Sequence, residues 1–206
     1  MPRETEIKYE VGDLRIVQRR LCSAGATFLG TVFQTDAYFD TPKRRLLAAD
    51  SGLRLRRTRC VKAGAEPVRP GALLTFKGPS RRGGKAKVRS EYQTCVDDPA
   101  AVTSILVACG LRPMATIRKR RASYRLGDCR VELDRLPILG CFVEIEAPNE
   151  KAILAMAARL GLSGEPIKTH YVNLLKTRCG RIGRGCETAS LARRGRRCRR
   201  YGPARR

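Results

Sequence analysis

Charged or polar side chains recur at every second position in one segment after another: Glu4, Glu6 and Lys8; Arg54 and Arg56; Thr75 and Lys77; Arg89 and Glu91; Lys119 and Arg121; Glu132 and Asp134; Glu144 and Glu146. In a β-strand such positions share one face, about 6.6 Å apart. Between them stand apolar or strand-forming residues, among them Ile7, Leu53, Leu55, Phe76, Tyr92 and Ile145. One such strand fits the ordinary sheet with a washed face and a buried face. Seven, with acids and bases mixed, predict something else: a sheet closed around a charged lumen, its apolar side turned outward against helices.

Helices alternate with these strands. Asp13 caps a helix carrying Leu14, Val17, Leu21 and Ala24 and ending at Gly25. Asp98-Pro99 opens a second, with Val102, Ile105, Leu106 and Cys109 on one face and Gly110 at its end. A third runs from Glu150 to Leu160 and a short fourth from about Thr169 to Lys176. The strand segments read Gln34 to Phe39, Gly52 to Arg59, Ala72 to Lys77, Ala86 to Val96, Thr116 to Leu126, Cys129 to Leu133 and Gly140 to Glu146. Asp40-Thr41-Pro42 reads as a turn, Lys62 to Gly71 as a loop, and Gly127-Asp128 as a tight turn. The sum is a β-rich α+β domain.

Isolated buried charges cost several kcal/mol each, so a charged lumen must pair its charges or fill with ions and water. Lys8, Arg54, Arg56, Lys77, Arg89, Lys119 and Arg121 suit phosphoryl oxygens, which Arg binds two at a time. Glu4, Glu6, Glu91, Glu132, Asp134, Glu144 and Glu146 suit Mg²⁺ or Mn²⁺, hard cations that bridge to phosphates. The combination predicts a metal–triphosphate site.

The ordered set Glu4-x-Glu6-x-Lys8, Asp36-x-Tyr38-Phe39-Asp40-Thr41, Leu53-Arg54-x-Arg56, Thr75-x-Lys77, Arg89-x-Glu91, Lys119-x-Arg121-x-x-Tyr124, Leu133-Asp134, Leu139-Gly140-x-Phe142-x-Glu144-x-Glu146 and Tyr171-x-x-Leu174-Leu175 resembles the CYTH family over about residues 3–176. That family unites class IV adenylate cyclases with thiamine triphosphatases and inorganic triphosphatases. The resemblance implies a triphosphate tunnel, an antiparallel eight-stranded β-barrel with helices packed outside. It implies Glu4, Glu6, Glu144 and Glu146 as metal ligands, and Lys8, Arg54, Arg56, Lys77, Arg89, Lys119 and Arg121 as substrate-binding residues. Glu4, Glu6, Lys8 and Asp134 follow as catalytic, with Asp134 a metal or positioning residue. Glu132 reads as a salt-bridged surface residue, a reading also open for Glu146. Gln93 stands where many members carry a further acid.

The second half, from the helix at Pro99 through Lys119, Arg121 and Asp134 to Gly140, is similar to the class IV adenylate cyclase branch, which implies conversion of ATP to cyclic AMP and pyrophosphate. The alternatives are hydrolysis of tripolyphosphate or thiamine triphosphate and, without catalysis, a polyphosphate- or RNA-binding module. Neither a histidine nor a cysteine is placed as a base.

The net charge of +24 is unevenly spread: the segment from Lys176 to Arg206 carries +11 of it. Residues 1–178 therefore read as the tunnel domain and 179–206 as a disordered basic tail, able to touch nucleic acid nonspecifically. Nine cysteines without a C-x-x-C pair, and the single His170, exclude zinc fingers and a disulfide framework. Cys22, Cys109, Cys129 and Cys141 read as packed small hydrophobes, and His170 as structural. No window approaches the roughly 20 apolar residues of a membrane span, and the start lacks the apolar core of a signal peptide. A cytoplasmic location, with no membrane partner, is the expectation.

Overall fold

The computed structural model describes residues 3–67, 71–81 and 83–179. The tail expected from 179 onward lies outside the described residues beyond the last helix. Eight strands close into one antiparallel barrel in the order β1-β5-β4-β3-β2-β6-β7-β8. They are β1 (Arg3–Val11), β2 (Thr27–Asp40), β3 (Gly52–Ala63), β4 (Gly71–Lys77), β5 (Lys87–Val96), β6 (Arg112–Leu126), β7 (Cys129–Leu136) and β8 (Gly140–Glu146). Two runs of sequential neighbours, β2 to β5 and β6 to β8, are joined through β1, which pairs with β5 on one side and β8 on the other. Closure leaves no unpaired sheet edge.

Among the described residues five helices lie outside the barrel: α1 (Leu14–Ser23), α2 (Arg45–Ala48), α3 (Pro99–Ala108), α4 (Glu150–Arg159) and α5 (Tyr171–Cys179). The Asp13 carboxylate accepts from the Arg15 amide and starts α1, which buries Leu14, Val17 and Leu21. With Ile153, Met156 and Ala157 of α4 they cover Ile7, Val131, Leu133, Val143 and Ile145, the residues that alternate with the charges on β1, β7 and β8. Burying each such side chain contributes roughly 1.5–3 kcal/mol, so the outward face is where the fold gains its apolar stability.

The sequence pattern misplaces some details. Strands β2 and β6 begin earlier than the alternation showed, at Thr27 and Arg112. The Asp40 turn leads into α2, because the buried Asp40 carboxylate accepts from the Thr41, Leu46 and Leu47 amides at 2.6, 2.9 and 2.9 Å. Helix α3 packs Val102 and Leu106 beside Phe39 and Leu55, yet Ile105 is 59% exposed. Its sequence is apolar almost all round, so spacing could not single out the covered stripe. Cys129 and Cys141 are buried as expected, but Cys22 of α1 and Cys109, just past the end of α3, are exposed.

Inward positions are not uniformly charged. On β6, β7 and β8 the residues one pleat beyond Lys119, Asp134 and Glu144 are Ile117, Leu136 and Phe142, which pack with Tyr171 and Leu175 of α5. This end of the barrel is apolar, and the charged part lies above it. Among the described residues no helix is long and apolar enough to cross a membrane.

Candidate active site

The charged part of the interior is a cavity to which all eight strands contribute. Its walls carry Lys8, Arg54, Arg56, Lys77, Arg89, Lys119 and Arg121, and Glu4, Glu6, Glu91, Glu132, Glu144 and Glu146, with Tyr38, Gly52, Gln93, His170 and Tyr171 between them. Alternation aims these side chains inward, and register sets who meets whom: Glu6 stands opposite Glu146, Lys8 opposite Glu144, and Glu4 opposite Arg89.

The charges form three networks. In the first, Arg56 grips Asp36 through two 2.7 Å bonds and Arg54 approaches the same carboxylate at 3.7 Å. Burial raises the Asp36 carboxyl, but Arg56 and Arg54 outweigh it and hold the group far below the usual carboxylate range. Arg54 Nε is buried without a hydrogen-bond partner among the described residues.

The second network lies deepest. Asp134 is fully buried and accepts from Lys119 at 2.8 Å, from Arg121 Nε at 2.7 Å and from the Tyr171 hydroxyl at 3.2 Å. Arg121 also reaches Glu132 and Glu144, and Lys8 meets Glu144 at 3.2 Å. Lys8 Nζ sits 3.8 Å from the centre of the Tyr171 ring, a cation–π contact. Burial, then Arg121, push the Lys119 ammonium down to about 8. Burial works against Glu144 as well, yet Lys8 and Arg121 hold its carboxyl well below the usual range.

The third network lies toward the rim. Lys77 bridges Glu4 at 2.6 Å and Glu91 at 2.8 Å, while Arg89 bonds Glu4 at 3.2 Å and Glu6 at 2.8 Å. Glu146 makes no ion pair with any described residue. Burial and the nearby Glu4, with Glu6 and Glu91 behind it, raise its carboxyl. Such crowding of like charge fits a hard divalent cation, which prefers carboxylate oxygens. Among the described residues no three side chains already stand in a ligating arrangement, because Glu4 and Glu6 are turned to Lys77 and Arg89.

The seven basic residues singled out from the sequence all line this cavity, as do Glu4, Glu6, Glu144 and Glu146. Two expectations change. Glu132, read as surface, lines the cavity, because closure turns its strand face inward. Asp134, read as a metal or positioning residue, is not on the wall but behind it, where it accepts from Lys119 and Arg121. His170, read as structural, is on the wall, bonded to Asp50 at 3.1 Å. The sequence motif around Asp36 assigns it no role, although Gln34, Asp36 and Tyr38 show the same alternation. The His170 position carries no local signal, since its neighbours come from distant parts of the chain.

The model of the CYTH domain family matches residues 2–159. The chain is 28% identical over 184 residues to the adenylate cyclase CyaB of Aeromonas hydrophila, covering 84% of this chain and 87% of that protein. The PH1012 protein of Pyrococcus horikoshii OT3 is similar in structure, with a TM-score of 0.68 at 26% identity over 83% of this chain and 98% of that one. HpAC1 of Hippeastrum, for which a dominant triphosphatase activity is described, shares the fold with a TM-score of 0.64 at 18% identity, over 87% and 97% of the two chains.

Proposed function

The chain belongs to the CYTH domain family, and on that premise we propose that its cavity binds a triphosphate together with a divalent cation and acts as a class IV adenylate cyclase. The observation that carries this reading is the mixed lining: seven Lys or Arg and six Glu side chains, drawn from the whole circumference of the barrel. A site for a polyanion alone gains nothing from carboxylates, which repel it. A site for a metal alone gains nothing from Arg.

The reaction transfers the α-phosphoryl group of ATP to its own ribose 3′-hydroxyl. The oxygen–phosphorus bond to the β-phosphate breaks, pyrophosphate leaves with the electron pair, and the 3′-hydroxyl gives up its proton to solvent. Arg54, Arg56, Lys77, Arg89 and Lys8 would hold the phosphate chain and oppose the charge that grows on the leaving group. Arg54 Nε, a buried donor without a partner, is satisfied by a ligand oxygen, which removes the cost of leaving it unpaired. Lys119 and Arg121 are held from behind by Asp134, so their placement needs no reorganisation when substrate arrives. Glu4, Glu6, Glu144 and Glu146 would hold Mg²⁺ or Mn²⁺, which when bound withdraws charge from phosphoryl oxygens and lowers the pKa of an attacking hydroxyl.

Hydrolysis of tripolyphosphate or an organic triphosphate is the second reading. It is favoured by one feature: every charged group of the lining addresses phosphate or metal, and none singles out a purine. An RNA-binding module fits less well, because six carboxylates face the same space.

Purified protein with Mg²⁺ or Mn²⁺, given ATP and tripolyphosphate in separate incubations, distinguishes these readings by its products. Cyclic AMP with pyrophosphate is the expected result. Orthophosphate from tripolyphosphate with ATP untouched establishes the second reading. Turnover that survives Glu4→Gln with Glu6→Gln removes the metal assignment.

A further inference from the structure

His170 has no part in the mechanism above. It is the single histidine of the chain, and it lies beyond the residues that the CYTH family model matches. The residues after it, Tyr171 and Val172, are buried, which fixes where α5 starts and holds the imidazole on the cavity wall. Its Nε2 lies 3.1 Å from Asp50 Oδ1. The other oxygen of Asp50 accepts from the Ser80 amide at 3.0 Å and from the Ser80 hydroxyl. Asp50 has a left-handed backbone, φ 51°, which Asp and Asn tolerate better than most residues.

This arrangement assigns the tautomer. Burial works against the Asp50 carboxylate, but the Ser80 hydroxyl and amide and His170 hold its carboxyl at about 2. An ionised acceptor requires a donor, so Nε2 carries the hydrogen and the Nδ1 lone pair is left over. The guanidinium of Arg89 lies against the ring, its Nη1 3.4 Å from Nδ1 and 3.5 Å from Nε2. Arg89 is already committed to Glu4 and Glu6. Lys87, on the same face of β5, is buried and forms no ion pair with any described residue. The groups facing the imidazole are therefore Lys87 and Arg89 from β5, Asp50 from the loop before β3, and the neutral Tyr38 from β2. Burial, then Lys87 and Arg89, push the imidazole down to about 4, so it is neutral while the cavity is empty.

We propose that His170 couples triphosphate binding to the uptake of one proton: as phosphoryl oxygens engage Arg89, Nδ1 is protonated and the imidazolium donates to the phosphate chain. One N–H bond forms, the proton comes from solvent, and no bond to phosphorus changes. The cations that keep the empty-site imidazole neutral are those a triphosphate neutralises, and Asp50 is placed to stabilise the imidazolium from the other side. A phosphoryl oxyanion about 5 Å away, at an effective dielectric constant of about 20, raises the titration midpoint by about two pH units. Between the two midpoints, about pH 4 without ligand and about pH 6 with it, His170 thus becomes a cation only when the ligand is present, which spares the ligand-free cavity another buried charge.

The inference rests on the triphosphate reading, and one pair of measurements separates them. Nuclear magnetic resonance follows the single imidazole through a pH titration, without metal, in the absence and presence of saturating tripolyphosphate. Calorimetry in two buffers of different ionisation heat, at a pH between the two midpoints, counts protons taken up on binding. The expected result is a midpoint raised by about two pH units, and a proton uptake that falls by about one per site in His170→Gln, whose amide still donates to Asp50. Asp50→Asn, compatible with the left-handed backbone, is expected to change the tautomer seen in the imidazole nitrogen shifts. Tripolyphosphate that binds while the midpoint stays put overturns the inference and leaves the triphosphate reading standing. Failure of tripolyphosphate to bind at all overturns both.

Discussion

Replacing Asp134 by Asn removes one charge from the best-buried network of the cavity while keeping its shape. Asp134 holds Lys119 at 2.8 Å and Arg121 Nε at 2.7 Å, and takes a third bond from Tyr171 at 3.2 Å. At a charge separation of about 3.5 Å and an effective dielectric constant of about 20, each cation loses about 5 kcal/mol of gross attraction. Several effects offset this. An amide is cheaper to bury than a carboxylate, Glu144 remains beside Arg121, and Lys119, already pushed down to about 8, sheds its proton readily. The net loss falls in the range for removing one partner of a buried pair, about 3–5 kcal/mol. At about 2–4 °C per kcal/mol for a domain of this size, that is a drop in Tm of about 10 °C. Urea denaturation and scanning calorimetry measure it. Adding Lys119→Met should recover a good part of the loss, because it removes one of the stranded cations. Tripolyphosphate affinity should fall as well, since Asp134 holds two wall cations in place. A stability within about 0.5 kcal/mol of the parent, the level of an ordinary surface change, would refute the assignment of Asp134 as a buried anchor.

Acid should weaken the fold partly through His170. Its midpoint in the folded protein is about 4, below the unperturbed value of about 6.5, so between those pH values the unfolded chain holds a proton that the folded chain lacks. Stability is therefore full above the upper value and is lost as pH falls toward the lower one, by about 3 kcal/mol; chemical denaturation across this range should show a shallower loss in His170→Gln. Phe142→Ala, emptying the apolar end where Phe142 meets the Tyr171 ring at 5.2 Å between centroids, should cost about 3–5 kcal/mol in urea titrations and loosen Lys8, which rests on that ring. Mg²⁺ and tripolyphosphate should strengthen each other's binding by equal factors, because carboxylates drawn to metal release Lys77 and Arg89 for phosphate. Equal affinities for tripolyphosphate with and without Mg²⁺, read by calorimetry, would remove that exchange.

Much of this architecture could be read before any coordinates. A period of two assigns each strand two faces, so Glu4, Glu6, Lys8, Arg54, Arg56, Lys119 and Arg121 were known to share a side with their neighbours along the strand. The apolar spacing of Leu14, Val17 and Leu21, and of Ile153 and Ala157, named the covered faces of α1 and α4. Glu132 was the instructive failure: alternation placed it with Asp134, but whether that face met water or the lumen depended on closure. Helix α3 failed for the opposite reason, since an almost wholly apolar helix has no pattern to read.

Residue order along the chain was enough to specify the strands, most of the caps, and the mixture of acids and bases that marks a polyanion and a cation sharing one site. Folding alone determined depth and partnership. Asp134 and Glu132 are two residues apart on one strand, yet one is sealed behind the wall and the other lines it. His170 meets Asp50 across 120 residues, and Lys77 meets Glu4 across 73. Periodicity is a property of a few consecutive peptide units, whereas the field at a side chain comes from whatever distant segments closure brings beside it.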